Sequence, residues 1–330
     1  MSISLIVLFH RPRALRNLLV SLRNTAAPAA AEIIVIFNAG NSDEAEKIRA
    51  EFHDSPLIFY SSVTSNKSEL RNIGLEKAAG KILHFLDDDV TVPENFLQAL
   101  EETWENHPEA AAIGGPNLSP DGSSSFGRLA GRLLASRFVA GRMADRYRIV
   151  EEKTADDRSL MLCNLGFRKS ILQTERLSFS PYLDYNEENF LLKQLRKRDF
   201  LCLYTPKLPV FHERRKTAAK FLFQVFRSGR GRARSIKLDI TNFGLIYILP
   251  SLWLIYLLSL LRIRTGFYFL PLGLYAGISL FHGLLYHGKG ESSLPEAFLF
   301  PAGALAAHFA YGTGFLIGLL MPLPDISDRN

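Results

Sequence analysis

The sequence predicts an α/β domain with a doubly wound, mixed sheet, followed by an all-α membrane domain. Three observations carry this. Over the first two-thirds of the 330 residues, short apolar runs rich in β-branched residues alternate with helical spacings. From 243 to 323 charge almost disappears. Between these regions the basic excess collects, in "ERRKTAAKFLFQVFRSGRGRARSIK" (213–237).

"SISLIVLF" (2–9) is short, apolar and β-branched, which predicts a buried first strand. It has no basic region before it and no small-residue cleavage site after it, unlike a signal peptide, so the N-terminal domain is expected in the cytosol. "RPRALRNLLVSLRNT" follows with helical spacing at Leu15, Leu18, Leu19 and Leu22. "EIIVIF" (32–37) is a second strand, ended by the turn-forming "NAGNSD"; a helix at 43–52 and a short strand at 57–60 come next. "NKSELRNIGLEKAAG" predicts a helix stopped at Gly80, and "KILHFL" a fourth strand. "PENFLQALEETWENHP" predicts a helix with Pro93 in its first turn, and "AAAIGG" a fifth strand. From 118 to 158 the pattern weakens. "LMLCNLGF" (160–167) reads as a strand and "NEENFLLKQLRKR" as an amphipathic helix capped by Asn186. "FLCLYTP" and "LPVFHERR" read as strand pieces.

The last third reads as membrane. The segments 243–261, 265–286 and 297–324 carry no charge, and each has about the 20 residues a span needs. A buried helical domain is the alternative. Pro250, Pro271 and Pro301 suit kinks or a re-entrant pair, and three full spans would place Arg262 and Arg264 on the outer side against the positive-inside rule. Phe221, Phe223, Val225 and Phe226 among arginines suggest a segment lying among headgroups; a topogenic basic flank is the other reading. The expected organisation is therefore a cytosolic domain over 1–212, a basic amphipathic interfacial segment over 213–240, a membrane domain of two to three helices or hairpins over 241–324, and a tail, 325–330.

Composition narrows function. The net charge of +6 sits beside apolar segments, and no RNA-binding or zinc-finger pattern is present, so a nucleic-acid partner is not expected. Cys163 and Cys202 stand in unrelated contexts, which argues against a disulfide framework.

The chemistry concentrates where the fourth strand ends in Asp87, Asp88 and Asp89. Like charges on adjacent residues repel at the edge of an apolar core. In extended chain Asp87 and Asp89 share a face and Asp88 does not. Two convergent carboxylates suit a hard divalent cation that also takes phosphate oxygens, and such a cation is the expected cancelling charge. The alternative is an acidic cluster at the positive end of the helix expected from Pro93.

"SLIVLFHRPRAL", "EIIVIFNAGNSD", "ELRNIGLEKAAGKILHFLDDD" and the later acidic helix, in this order, resemble family 2 glycosyltransferases of the GT-A fold over roughly residues 2–215. The C-terminal "AAHFAYGTGFLIGLL" is similar to the spans of bacterial exopolysaccharide glycosyltransferases of the succinoglycan type. The resemblance implies a nucleotide-diphosphate sugar donor with Phe9, His10 and Arg11 by base and ribose, Asn38 facing the base and Arg71 near the nucleotide. It implies Asp87 and Asp88 by ribose and sugar, and Mg²⁺ or Mn²⁺ on Asp89, with Asp87 and His212 as further metal-site residues. Glu188, where the family has Asp, is implied as the general base that takes the acceptor's proton. Asn164 falls where the family shapes the acceptor pocket. "QVFRS" (224–228) is similar to the QxxRW signature of processive synthases, but Ser228 replaces Trp, which argues against processive synthesis. An Asn amide can both donate and accept, so Asn38 suits a uracil edge and tilts the donor toward a UDP-sugar.

The expected function is metal-dependent, inverting transfer of a sugar to a polyprenyl-linked membrane acceptor in cell-surface glycan assembly. The expected place is the inner (plasma) membrane, with the catalytic domain on the cytoplasmic face and membrane lipids as partners. The alternatives are a polyprenyl-phosphate glycosyltransferase and a non-catalytic sugar-nucleotide-binding scaffold.

Overall fold

The computed structural model describes residues 2–25, 32–263 and 265–324; Arg264 and the tail 325–330 lie outside them. The chain forms two compact units. One holds residues to Leu118 and Arg148–Glu213; the other holds Ser119–Tyr147 and Arg214–Leu323. The domain expected over 1–212 is thus interrupted, because residues 119–147 belong with the C-terminal helices.

In the first unit, β1 (Ile3–Phe9), α1 (Pro12–Arg23), β2 (Glu32–Asn38), α2 (Ser42–Glu51), β3 (Leu57–Ser62), α3 (Lys67–Lys77) and β4 (Ile82–Asp87) alternate. A two-residue strand β5 (Val90–Thr91), α4 (Phe96–Asn106), β6 (Ala110–Gly114) and β7 (Asn117–Leu118) follow. The chain then builds α5 (Ser125–Ala135) and α6 (Arg137–Ala140) of the second unit. It resumes the first with β8 (Lys153–Thr154), β9 (Asn164–Arg168), α7 (Lys169–Thr174), α8 (Glu187–Arg196), β10 (Leu201–Tyr204) and β11 (Val210–His212).

The main sheet runs β3-β2-β1-β4-β9-β6-β10-β8. β1 to β4 are mutually parallel, whereas β9 is antiparallel to both its neighbours and β8 to β10. Alternation along β1 sends Leu5, Val7 and Phe9 to one core, with α1, α2 and α4, and Ile6 and Leu8 to the other, with α3, α7 and α8. Both faces are covered, which is why these strands read as continuous apolar runs.

A second, three-stranded sheet, β5-β11-β7, does the positioning. His212 pairs with Val90, and Val210 with Asn117. The chain just past the aspartates is thereby tied to residues more than a hundred positions away.

Two expected boundaries move. α3 ends at Lys77, and Gly80 is not its stop: a Cβ there would lie 2.6 Å from the Ser4 backbone nitrogen, so Gly80 allows the approach to β1. α4 begins at Phe96, and Pro93 lies before it. Asn186 stands at the N-cap of α8 in a left-handed conformation (φ 62°), and its side chain does not cap the helix.

The second unit contains α9 (Ala218–Leu238), α10 (Leu245–Ser259), α11 (Leu270–Gly288) and α12 (Leu294–Leu320) besides α5 and α6. The basic segment is a 21-residue helix, α9, with Gly229, Ala233 and Ile236 among its buried residues. A Cβ on Gly229 would lie 2.2 Å from the Tyr311 carbonyl oxygen, and one on Gly314 would lie 2.0 Å from that of Phe226, so small residues bring α9 and α12 together. Glu296, in the first turn of α12, takes Arg128 and Arg132 of α5 at 2.8 Å each. Two helical segments, Gly266–Gly288 and Leu294–Leu320, are long and apolar enough to cross a membrane. α10 has 15 residues and contains Pro250, shorter than the roughly 20 of a span.

Candidate active site

The three aspartates form the carboxyl end of β4 and the turn into β5. They are not a helix-start cluster, since the next helix begins only at Phe96. Instead each aspartate has its own partners, which separates the three chemically.

Asp88 turns inward and is 1% exposed. Its Oδ2 accepts the backbone N–H of His10 at 2.8 Å and of Arg11 at 2.7 Å, and its Oδ1 takes the Arg11 guanidinium at 2.5 Å. Its oxygens serve the end of β1. Asp89 Oδ2 takes the other arm of Arg11 at 2.5 Å and His212 Nε2 at 2.8 Å. His212 Nδ1 in turn accepts from Asn117 Nδ2 at 3.3 Å, which selects the tautomer with its proton on Nε2. Burial alone would push the Asp89 carboxyl up; the hydrogen bond from His212, then the hydrogen bond and charge of Arg11, outweigh it and hold the group well below the usual carboxylate range. Asp87 is the most open, with 38% of its side chain exposed, and lies 4.0 Å from Arg71 Nη2.

Arg71 is buried and its other arm holds Glu187 at the start of α8. The ion pair links the end of β4 to the helix that carries Glu188, which is itself 6% exposed. Adjacent positions on a helix point about 100° apart, so the two glutamates are not equivalent. One is bound to Arg71, and its neighbour stands beside that pair. The triad's charge is therefore offset by the protein's own groups, Arg71, Arg11, two backbone amides and His212. The expectation that repulsion persists until a cation arrives is corrected.

Other expected residues are placed differently. The Phe9 side chain is wholly buried and packs edge-on against Phe37 at 6.0 Å, so only its backbone faces the strand end. His10 is exposed beside Arg11. Asn38 donates both amide hydrogens, to the carbonyls of Val63 and Thr64 at 3.0 Å each, and accepts from Gly40 at 3.1 Å. Its amide locks the β2 turn and has no hydrogen left to offer a uracil. Asn164 is enclosed within the core of the first unit. It is fully buried, with its Oδ1 3.1 Å from His84 Nε2 and its Nδ2 donating to the Leu208 carbonyl at 2.6 Å. The reasoning from sequence passed over Glu187 as a partner of Arg71, and Asn117 entirely. Glu187 carried a signal, an acidic pair at a helix start; Asn117 carried none, because a small sheet between distant segments brings it to His212.

A divalent cation fits this donor set. Asp89 Oδ1 is buried with no hydrogen-bond partner, an acceptor aimed at nothing in the protein. Among the described residues no cluster of three or more His, Cys, Asp or Glu side chains is drawn together to hold an ion, so Asp89 beside the His212 imidazole would need further oxygens from elsewhere, such as phosphate.

A mixed sheet of this order, with carboxylates at the carboxyl edge of a central strand and an acidic helix start tied to them by arginine, defines a GT-A glycosyltransferase. Residues 4–174, just over half the chain, match glycosyl transferase family 2. The chain belongs to that family and is a glycosyltransferase. Among solved structures it is similar to the mannosyltransferase PcManGT from Pyrobaculum calidifontis in complex with GDP-Man and Mn²⁺, with a TM-score of 0.63 and 13% identity, over 92% of this chain and 85% of that one. It is also similar to residues 1–349 of TarS from S. aureus, with a TM-score of 0.50 and 12% identity over 96% and 92% of the two chains. At such identities the likeness is one of fold. A curated relative, the glucosyl-dolichyl phosphate glucuronosyltransferase of Haloferax volcanii, is 29% identical over 92 residues. The match spans 27% of this chain and 29% of that protein's length.

Proposed function

We propose that this glycosyltransferase moves a sugar from a nucleotide-diphosphate donor onto a polyprenyl-linked acceptor at a membrane, with inversion and with a divalent cation. One arrangement carries the reading: Asp89 presents an unpartnered buried oxygen at the end of β4, while Asp87, through Arg71, leads to the helix start that bears Glu187 and Glu188. Asp89, with His212 and Asp87, would hold the cation. The cation supplies stabilisation of the charge that develops on the departing diphosphate. Glu188 takes the acceptor hydroxyl's proton as that oxygen bonds to the sugar's C1 and the bond from C1 to the diphosphate oxygen breaks.

Two helices of spanning length support a membrane acceptor. Confining enzyme and lipid to one surface raises their effective concentration. The test is transfer of labelled sugar to extracted lipid. Asp89→Ala and Glu188→Gln should each lose at least about 100-fold in rate; full activity in both sinks these assignments. A donor screen, with and without Mn²⁺, decides the nucleotide.

The Haloferax relative is named for glucuronosyl transfer to glucosyl-dolichyl phosphate, a lipid that already carries a sugar, which supports this reading over a second one, transfer to a bare polyprenyl phosphate. A monosaccharide-lipid labile to mild acid would favour the second. The scaffold reading would gain from donor binding with neither transfer nor donor hydrolysis.

A further inference from the structure

Resting on the metal-dependent reading, we infer that Arg11 is the resident counter-ion of the cation position and must leave Asp89 before a divalent ion is held tightly, so that ion and nucleotide diphosphate bind as a coupled pair. The guanidinium spans two carboxylates, with Nη2 2.5 Å from Asp88 Oδ1 and Nη1 2.5 Å from Asp89 Oδ2. The same Asp89 oxygen takes His212. One carboxylate oxygen thus already faces two protein donors, and only Oδ1 is open.

The two ends of this bridge differ. Asp88 is 2% exposed at its side chain and also holds two backbone amides, so it is built into the fold. The Arg11 side chain is 45% exposed, so its outer arm can swing without unpacking a core. A divalent ion placed on Asp89 meets the positive guanidinium at ion-pair distance, and the two repel. A nucleotide diphosphate removes the conflict by giving the freed arm a new anion, which a planar guanidinium grips with paired hydrogen bonds. Arg11 then holds Asp88 with one arm and the donor with the other. Binding of the ion alone is weak and binding of either ligand strengthens the other, as linkage requires.

The test is Mn²⁺ binding to the full-length protein in detergent, read from the signal of free Mn²⁺ by electron paramagnetic resonance, with no donor sugar and no turnover. Without nucleotide, Arg11→Gln should bind Mn²⁺ at least about tenfold more tightly than the wild type, since a repelling charge is gone. Adding Asp89→Asn to that variant should abolish the gain. With UDP or GDP present, the wild type should tighten by at least about tenfold, and Arg11→Gln by much less. Arg11→Lys keeps the charge but cannot span both carboxylates, so its nucleotide-free affinity should fall between the two. If wild type and Arg11→Gln bind Mn²⁺ equally, and both lose it with Asp89→Asn, the counter-ion role is overturned and the metal reading survives. If no form binds Mn²⁺, with or without nucleotide, both fall.

Discussion

At the scale of single residues, burial has turned side chains of ordinary type into specialised ones. His84, in β4, is fully enclosed; burial pulls its pKa from 6.5 to about 4, against the hydrogen bond its Nε2 gives to Asn164 Oδ1. In the unfolded chain the imidazole protonates near its ordinary value. Stability from keeping His84 neutral is therefore complete above about pH 6.5 and is lost as pH falls through 4. The full difference corresponds to about 3 kcal/mol. Chemical denaturation of the detergent-solubilised protein between pH 7 and 4.5 should show the loss, and His84→Gln should flatten this part of the profile. The contrast between Asn38 and Arg11 belongs to the same scale. Asn38 ends β2 and Arg11 follows β1, but the amide is spent on backbone carbonyls and the guanidinium on carboxylates.

At the scale of elements, contacts between distant segments assemble the site. Arg71 lies in α3, Asp87 in β4 and Glu187 in α8, and the ion pair of Arg71 with Glu187 is buried on both sides. Removing one partner strands a buried charge, so Arg71→Ala should lower stability by about 3 kcal/mol. It should also cut transfer activity, because the Glu188 helix loses its tie to β4. Denaturation midpoints and initial rates check the two effects separately, and unchanged stability would refute the buried-pair argument. In the second unit, α9 and α12 meet through glycine. Gly314→Leu must push the helices apart, since even a Cβ would meet the Phe226 carbonyl at 2.0 Å. It should cost about 1–3 kcal/mol, read as a lower melting temperature in detergent.

For the whole molecule, the aspartate triad sets how stability responds to ligands. The protein's own cations already offset the three charges, so Mn²⁺ alone should raise the melting temperature little. Mn²⁺ with nucleotide should raise it clearly, by about 2.7 kcal/mol of added stability when the ion–nucleotide pair is near 100 times its dissociation constant. Asp89→Ala should remove that gain, as thermal denaturation in the four ligand conditions will show. Charge also divides the molecule. The helical unit, Ser119–Tyr147 with Arg214–Leu323, carries 17 Lys and Arg against 5 Asp and Glu, 17 − 5 = +12, although the whole chain is only +6. Four of these arginines, Arg146, Arg214, Arg232 and Arg234, are buried in the unit; exposed cations beside apolar helices are the pattern that attracts anionic headgroups.

What the sequence determined by itself was whatever depends on local pattern. Strand and helix alternation, the α/β class, the apolar last third and the acidic end of β4 all follow from periodicity and composition, which neighbours along the chain carry. The resemblance through "RNIGLEKAAG" into "FLDDD" added the family. Only the tertiary structure decided how each charge is used. The short β11 strand puts His212 and Asn117 against the Asp89 turn, and an ion pair across 116 positions binds Arg71 to Glu187. Residues 119–147 join the helical unit although no hydropathy step marks them. The burial of the Phe9 and Asn164 side chains was not legible either, since sequence places a residue at a strand end but not which side of the sheet closes over it. The physical reason is one of range: backbone periodicity is set within a few residues, whereas neutralisation of a buried charge depends on whichever groups the fold brings within a few ångströms.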